Sequence, residues 1–152
     1  MRDKFLCSCF LFGLLNIVSF NVSANHCLVD VEPLAFGDYD IFYPAPLDTQ
    51  ANINLQCSSN DLFRVTMDMG MNGDGSYAFR RMQSGGSTSL LYNLYLDPSR
   101  RQAWGDGNGN SGFYSGVPVQ GFGRLVVYGR IAPGQQVETG LYRDSVIVTV
   151  EW

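Results

Sequence analysis

From Cys27 onward the chain alternates apolar and polar residues with a period of two, the pattern of strands that bury one face. In 27–31, Cys27, Val29 and Val31 share one side, while Leu28 and Asp30 take the other. In 51–57 the alternation is cleaner: Ala51, Ile53, Leu55 and Cys57 against Asn52, Asn54 and Gln56. Phe63, Val65, Met67 and Met69 alternate with Arg64, Thr66 and Asp68, and 77–82 is a shorter candidate. Leu90, Tyr92, Leu94 and Leu96 line one face of 89–96; Leu125, Val127, Gly129 and Ile131 line one face of 124–131. The last stretch is the most regular, with Val146, Val148, Val150 and Trp152 opposite Ser145, Ile147, Thr149 and Glu151. No segment carries an apolar stripe at helical spacing.

Glycine-rich stretches separate these strands. Residues 70–75 read as a hairpin loop and 84–87 as a flexible loop. The longest turn region is 104–116, with glycines at 105, 107, 109, 112 and 116. About seven or eight strands at this spacing predict an all-β antiparallel sandwich. No internal repeat or domain linker is visible.

Ahead of the first strand, Arg2 and Lys4 lead into an apolar run over 5–20, followed by the small-residue exit Val22-Ser23-Ala24. A basic start, an apolar centre and an A-x-A-type exit predict a secretory signal peptide over 1–24, with 25–152 as the mature domain. A membrane anchor needs about 20 apolar residues; this run has about 16 and is dotted with Ser8, Cys9 and Asn16. A lipoprotein needs a small residue before its acceptor cysteine, and Cys27 follows His26.

Composition fits an exported chain. Of 152 residues 45% are hydrophobic, 13% aromatic and only 16% charged, with 17 glycines; about 25% charged is usual. The aromatic content excludes disorder, and the glycine content excludes a coiled coil. Cleavage after Ala24 removes the one lysine, leaving eight arginines against thirteen Asp and Glu, a net charge of −5. That balance argues against a nucleic-acid partner. Cys7 and Cys9 leave as well. Cys27 and Cys57 remain, an even pair in an oxidising compartment, so a disulfide is expected in preference to two buried thiols. Its loop of about 30 residues makes the bridge worth ~3 kcal/mol in the loop-entropy description.

The final strand raises the question of its edge. It alternates up to Trp152, and Ile147 on its outward face is apolar. A sheet edge must be paired, short, charged or covered. Either earlier strands flank this one, or the sandwich is incomplete and another chain supplies a strand.

Several segments, in order, resemble the spore coat protein U domain family, which includes the pilin subunits of archaic chaperone–usher pili. They are Pro33-Leu34-Ala35-Phe36-Gly37-Asp38-Tyr39, Cys57, Tyr92-Asn93-Leu94-Tyr95 and Trp104-Gly105-Asp106-Gly107. Tyr128-Gly129-Arg130-Ile131 follows and runs into Pro133-Gly134-Gln135; then comes Gly140-Leu141-Tyr142-Arg143-Asp144, leading to Val146, Val148, Val150 and Trp152. The resemblance implies an antiparallel immunoglobulin-like β-sandwich that lacks its final strand. It implies a periplasmic pilus chaperone that lends a strand and an outer-membrane usher for export. It also implies neighbouring pilin subunits, whose N-terminal extensions replace the chaperone strand. The route runs through the periplasm to the surface or a pilus of a Gram-negative bacterium. The groove expected to take the donor strand or the chaperone is lined by Val29, Val31, Val146, Val148, Val150 and Trp152.

One departure bears on the place in a fibre. After cleavage at Ala24 only Asn25 and His26 precede Cys27, too few for a donor strand of about five residues. Such a subunit is expected to accept a strand without donating one, as a tip or coat component. Cleavage after Gly13 would instead free 14–24 as a donor.

No enzyme is expected. The one histidine, His26, lies at the mature N-terminus, whereas a nucleophilic triad needs a histidine held within the fold. G-x-S-x-G and H-E-x-x-H do not occur. Asp38 and Asp40 read as solvated loop acids. Asp106-Gly107-Asn108-Gly109-Asn110 offers oxygen ligands at alternate positions, as calcium loops do. Ser111 replaces the glycine of the sixth position and Val117 the acid of the twelfth, so a plain turn is expected, with no metal and no cofactor. Trp104 and Tyr114 near that loop could stack on a sugar. They keep a carbohydrate- or surface-binding adhesin module as the second functional reading; core packing is the competing role of Trp104. Eight arginines without lysine suit bidentate pairing with carboxylates at interfaces, or reflect compositional drift. The leading expectation is a secreted structural subunit of a fibre or coat, assembled by strand complementation.

Overall fold

The computed structural model describes residues 26–152; the expected leader over 1–24 lies outside them. In chain order the strands are β1 (Cys27–Val31), β2 (Leu47–Cys57), β3 (Phe63–Met67), β4 (Arg80–Gln83), β5 (Ser89–Tyr95), β6 (Tyr114–Gly116), β7 (Phe122–Ile131) and β8 (Val148–Glu151). One sheet has the order β1-β2-β7-β5-β4 and the other β6-β3-β8. Every strand pairing is antiparallel, and the expected all-β two-sheet architecture is present.

β2 and β7 pair along their length, from Leu47 opposite Ile131 to Gln56 opposite Phe122. They supply the centre of the core: Ala51, Ile53 and Leu55 from β2, Leu125, Val127 and Ile131 from β7. Leu90, Tyr92 and Leu94 of β5 and Phe63, Val65 and Met67 of β3 complete it. These are the side chains that period two assigns to the inner face. Cys27 and Cys57 stand opposite each other, Cα atoms 4.0 Å apart, and form the expected disulfide.

A buried cation holds the ends of several elements together. Arg80 Nη1 donates to Asn93 Oδ1 at 2.7 Å. Its Nε and Nη2 donate to the Asp68 carbonyl at 3.0 and 2.7 Å, and Nη2 also to the Trp104 carbonyl at 2.6 Å. Burial lowers the Arg80 pKa from its ordinary value. Asn93 Nδ2 donates in turn to the carbonyls of Tyr77 and Ala78. A charge taken out of water needs such partners at each donor.

Some sequence expectations are corrected. Residues 70–75 are not a hairpin loop: β3 and β4 belong to different sheets, and the chain between them crosses from one layer to the other. Asp68 Oδ1 starts that turn by accepting from Gly70 N at 3.0 Å, and Gly70 takes φ 82°. The strand expected from Tyr77 begins only at Arg80; Tyr77 is buried in the connection ahead of it. The tight hairpin is the one joining β4 and β5, where Gln83 pairs with Ser89. The region 104–116 ends in β6, which pairs with β3. β3 stops at Met67, before Met69, and β8 covers only part of 145–152.

Candidate functional site

β1 and β8 each stand at the end of a sheet. Glu32 N donates to Asn52 O and Ser58 N to His26 O, both at 2.9 Å. These bonds identify the even-numbered residues of β1 as those bonded to β2. Bonded and non-bonded pairs alternate in an antiparallel ladder, so the peptide groups of Val29 and Val31 turn away from β2. Asp68 N donates to Ile147 O at 3.1 Å and Met71 N to Ser145 O at 2.9 Å. By the same alternation, the peptide groups of Val146, Val148 and Val150 turn away from β3. The side chains of these five valines stand perpendicular to the sheet, on its inner face. Val29 and Val31 stand opposite Leu55 and Ile53, and Val146, Val148 and Val150 pack against the core. Val29 and Val31 nevertheless remain 41% and 45% exposed. Among the described residues, no strand pairs with the outer edge of β1 or of β8.

Two cavities lie along this seam. The smaller, about 450 Å³, is bounded by Val31 and Leu34 on one side and by Val146 and Val148 on the other, over Met67, Met82 and Tyr92. The larger, about 900 Å³, lies between 34–42 and 137–142, over Met82, Leu90 and Ile131. Leu34, Phe36, Met82 and Tyr142 line both, so the two open into one groove. Its banks are residues 31–42 and 137–148.

Local chemistry fixes each bank. Phe36 lies over Gly129, where a Cβ would come within 2.8 Å of its ring, and meets Tyr92 edge-on at 5.8 Å. Tyr39 Oη donates to the Ala132 carbonyl at 3.0 Å and accepts from Gln135 N at 2.8 Å. The Gln135 amide bonds both peptide groups of Leu91 at 2.8 Å. On the second bank, Tyr142 Oη donates to the Glu138 carbonyl at 2.9 Å. The Arg143 peptide exchanges bonds of 2.9 and 3.0 Å with Gln83 of β4. Tyr92 Oη donates to Asp144 Oδ2 at 2.7 Å; burial, and then this carboxylate, hold the Tyr92 phenol well above its ordinary range. The cavity walls carry five carboxylates, Glu32, Asp38, Asp40, Glu138 and Asp144, and one guanidinium, Arg143.

Of the residues expected to form the groove, Val31, Val146 and Val148 line the cavities; Val29, Val150 and Trp152 do not, and Trp152 is 52% exposed. Leu34, Phe36, Met82, Leu90, Val137 and Tyr142 were not legible as groove residues. Most of the missed positions lie in irregular segments, where period two gives no signal. Trp104 is corrected as a surface-binding residue: it is 1% exposed and its Nε1 donates to the Val65 carbonyl at 3.0 Å. Tyr114 is half-buried and packs on Phe63, ring centroids 5.6 Å apart. In the 106–110 turn the Asp106 carboxylate accepts from Asn108 N and Nδ2 at 2.8 and 3.1 Å, a turn closed on itself. No cluster of three metal-ligating side chains occurs among the described residues.

Comparison with known proteins gives the family and the fold. The family model of the Spore Coat Protein U domain matches residues 13–149. "Protein U" of Myxococcus xanthus is 32% identical over 133 residues, covering 77% of this chain and 70% of that protein. A solved structure with the same fold is the CsuC–CsuE chaperone–tip adhesion subunit pre-assembly complex from archaic chaperone-usher Csu pili of Acinetobacter baumannii. It aligns with TM-score 0.65 and 21% identity over 85% of this chain and 40% of that one, so the chain spans less than half of its length. At that identity the likeness is one of fold, an immunoglobulin-like sandwich. The family match runs over most of the sequence and agrees with the curated relative: the chain belongs to the Spore Coat Protein U domain family.

Proposed function

We propose that the chain is a secreted structural subunit of a surface fibre or coat, and that its groove accepts an extended strand from another protein. The observation that carries this is the pair of sheet-end strands, β1 and β8, with no further strand beside them among the described residues, next to an open cleft lined by Val31, Val146 and Val148. A strand laid there gains main-chain hydrogen bonds and covers alternate side chains. In transit the strand comes from a periplasmic chaperone; after passage through an outer-membrane usher it comes from a neighbouring subunit. The solved structure of the same fold is itself a complex of a chaperone with a pilus subunit. The family is structural, and no enzymatic role is assigned. The adhesin reading loses its main residue with Trp104 buried.

Expression with and without a cognate chaperone tests the proposal. Alone, the subunit is expected to aggregate or be degraded; with the chaperone, a soluble one-to-one complex is expected. A stable, soluble monomer obtained alone overturns the reading.

A terminal position in the fibre is proposed from the expected leader. With Asn25 as first residue, the subunit accepts a strand and has almost none to give. Mass spectrometry of the mature protein is expected to find Asn25 first; a mature N-terminus at or before Leu14 rules the terminal position out.

A further inference from the structure

We infer that the strand filling this groove comes from a different protein and carries lysine or arginine beside its apolar residues, so that a second copy of this chain is a poor occupant. The inference rests on the groove being a strand acceptor.

The groove is apolar at its floor and acidic along its walls. Of its five carboxylates, Glu32 is met by Asn52 Nδ2 at 2.7 Å, and Asp144 by Tyr92 and Asn72. The three at the larger cavity, Asp38, Asp40 and Glu138, have no cation within salt-bridge distance among the described residues. They stand on both banks, so any strand between the banks passes within a Debye length, about 8–10 Å, of them. A cationic strand is drawn in and held, an anionic one is repelled, and a neutral one gains nothing beyond its apolar contacts.

A second copy cannot answer that charge. Between Lys4 and Arg64 the sequence has neither lysine nor arginine. Every residue from Phe5 to Asn25 that could reach a neighbour's groove as an extended segment is uncharged. The eight arginines from Arg64 onward belong to the sandwich itself.

The test uses the full mature chain with a strand fused to its C-terminus through a flexible linker. Strands of one apolar alternation are flanked by lysines, by serines or by glutamates; a fourth strand is residues 14–24 of this chain. The lysine-flanked strand should give the highest thermal midpoint. As a free peptide displacing the chaperone from its complex with the chain, it should compete about 5- to 30-fold more effectively than the glutamate version at low salt. Raising NaCl to about 0.5 M should erase most of that ratio. So should the combined Asp38→Asn, Asp40→Asn and Glu138→Gln substitutions. Equal performance of lysine and glutamate strands, or residues 14–24 matching the lysine strand, overturns this inference and leaves the strand-acceptor reading standing. Failure of every strand to stabilise the chain overturns both.

Discussion

Val148→Asp is expected to abolish recovery of the subunit, both as a chaperone complex in the periplasm and at the cell surface. Val148 points inward, packs against the core, lines the smaller cavity and turns its peptide edge to the open side. An aspartate there sits beneath any strand laid in the groove. Leaving a buried charge without a partner costs about 3–5 kcal/mol, which is about 100- to 4,000-fold in affinity. Glu32 and Asp144 line the same cavity and raise that cost, offset only in part by Arg143. Thr149→Asp is the control, because Thr149 is exposed on the outer face of the same strand. It should be recovered at wild-type levels. Immunoblots of periplasmic and surface fractions decide the matter; wild-type amounts of Val148→Asp would remove β8 from the acceptor edge.

Arg80→Met carries the second large effect, and it acts on the fold instead of the groove. Methionine keeps much of the volume but strips the donors from the carbonyls of Asp68 and Trp104. Each buried acceptor left unmet costs about 1–3 kcal/mol. Asn93 Oδ1 suffers less, because it still accepts from Leu94 N at 2.9 Å. The sum should be about 3–5 kcal/mol, read as a fall of ~10 °C or more in the melting point of a strand-filled subunit. Arg80→Lys should lose a large part of it too, because one ammonium cannot span Asn93, Asp68 and Trp104 together. A fall below ~3 °C for Arg80→Met would mean that the carbonyls find other donors.

The strands that were legible in the sequence are those that bury one face against a well-filled layer. β2, β5 and β7 show alternation because their inner residues are covered along nearly their whole length. β6 has three residues, too few for any period, and exists because Phe63–Val65 offers it a free edge. The 70–75 glycines signal a turn but not which sheet the chain enters next; the Asp68 carboxylate and Arg80 decide that through contacts distant in sequence. For the groove, Val31, Val146 and Val148 were legible. Phe36, Tyr39 and Tyr142 were not, because they act from irregular backbone held by single hydrogen bonds, as Tyr39 is by Ala132 and Gln135. Val29 and Val31 show the limit of pattern reading. Alternation marks a face as apolar whether or not the same chain covers it.

The Cys27–Cys57 bridge has a mechanical consequence. A pull arriving from residues ahead of Cys27 does not run along β1. It passes through the sulfur bridge into the end of β2, an interior strand of its sheet. The 29 residues between the two cysteines are thereby short-circuited, and about 100 Å of chain that could otherwise extend under load stays folded. The whole first bank of the groove, 31–42, lies inside that protected loop. A subunit under tension therefore keeps one wall of its cleft in shape even while the chain outside the bridge is being stretched.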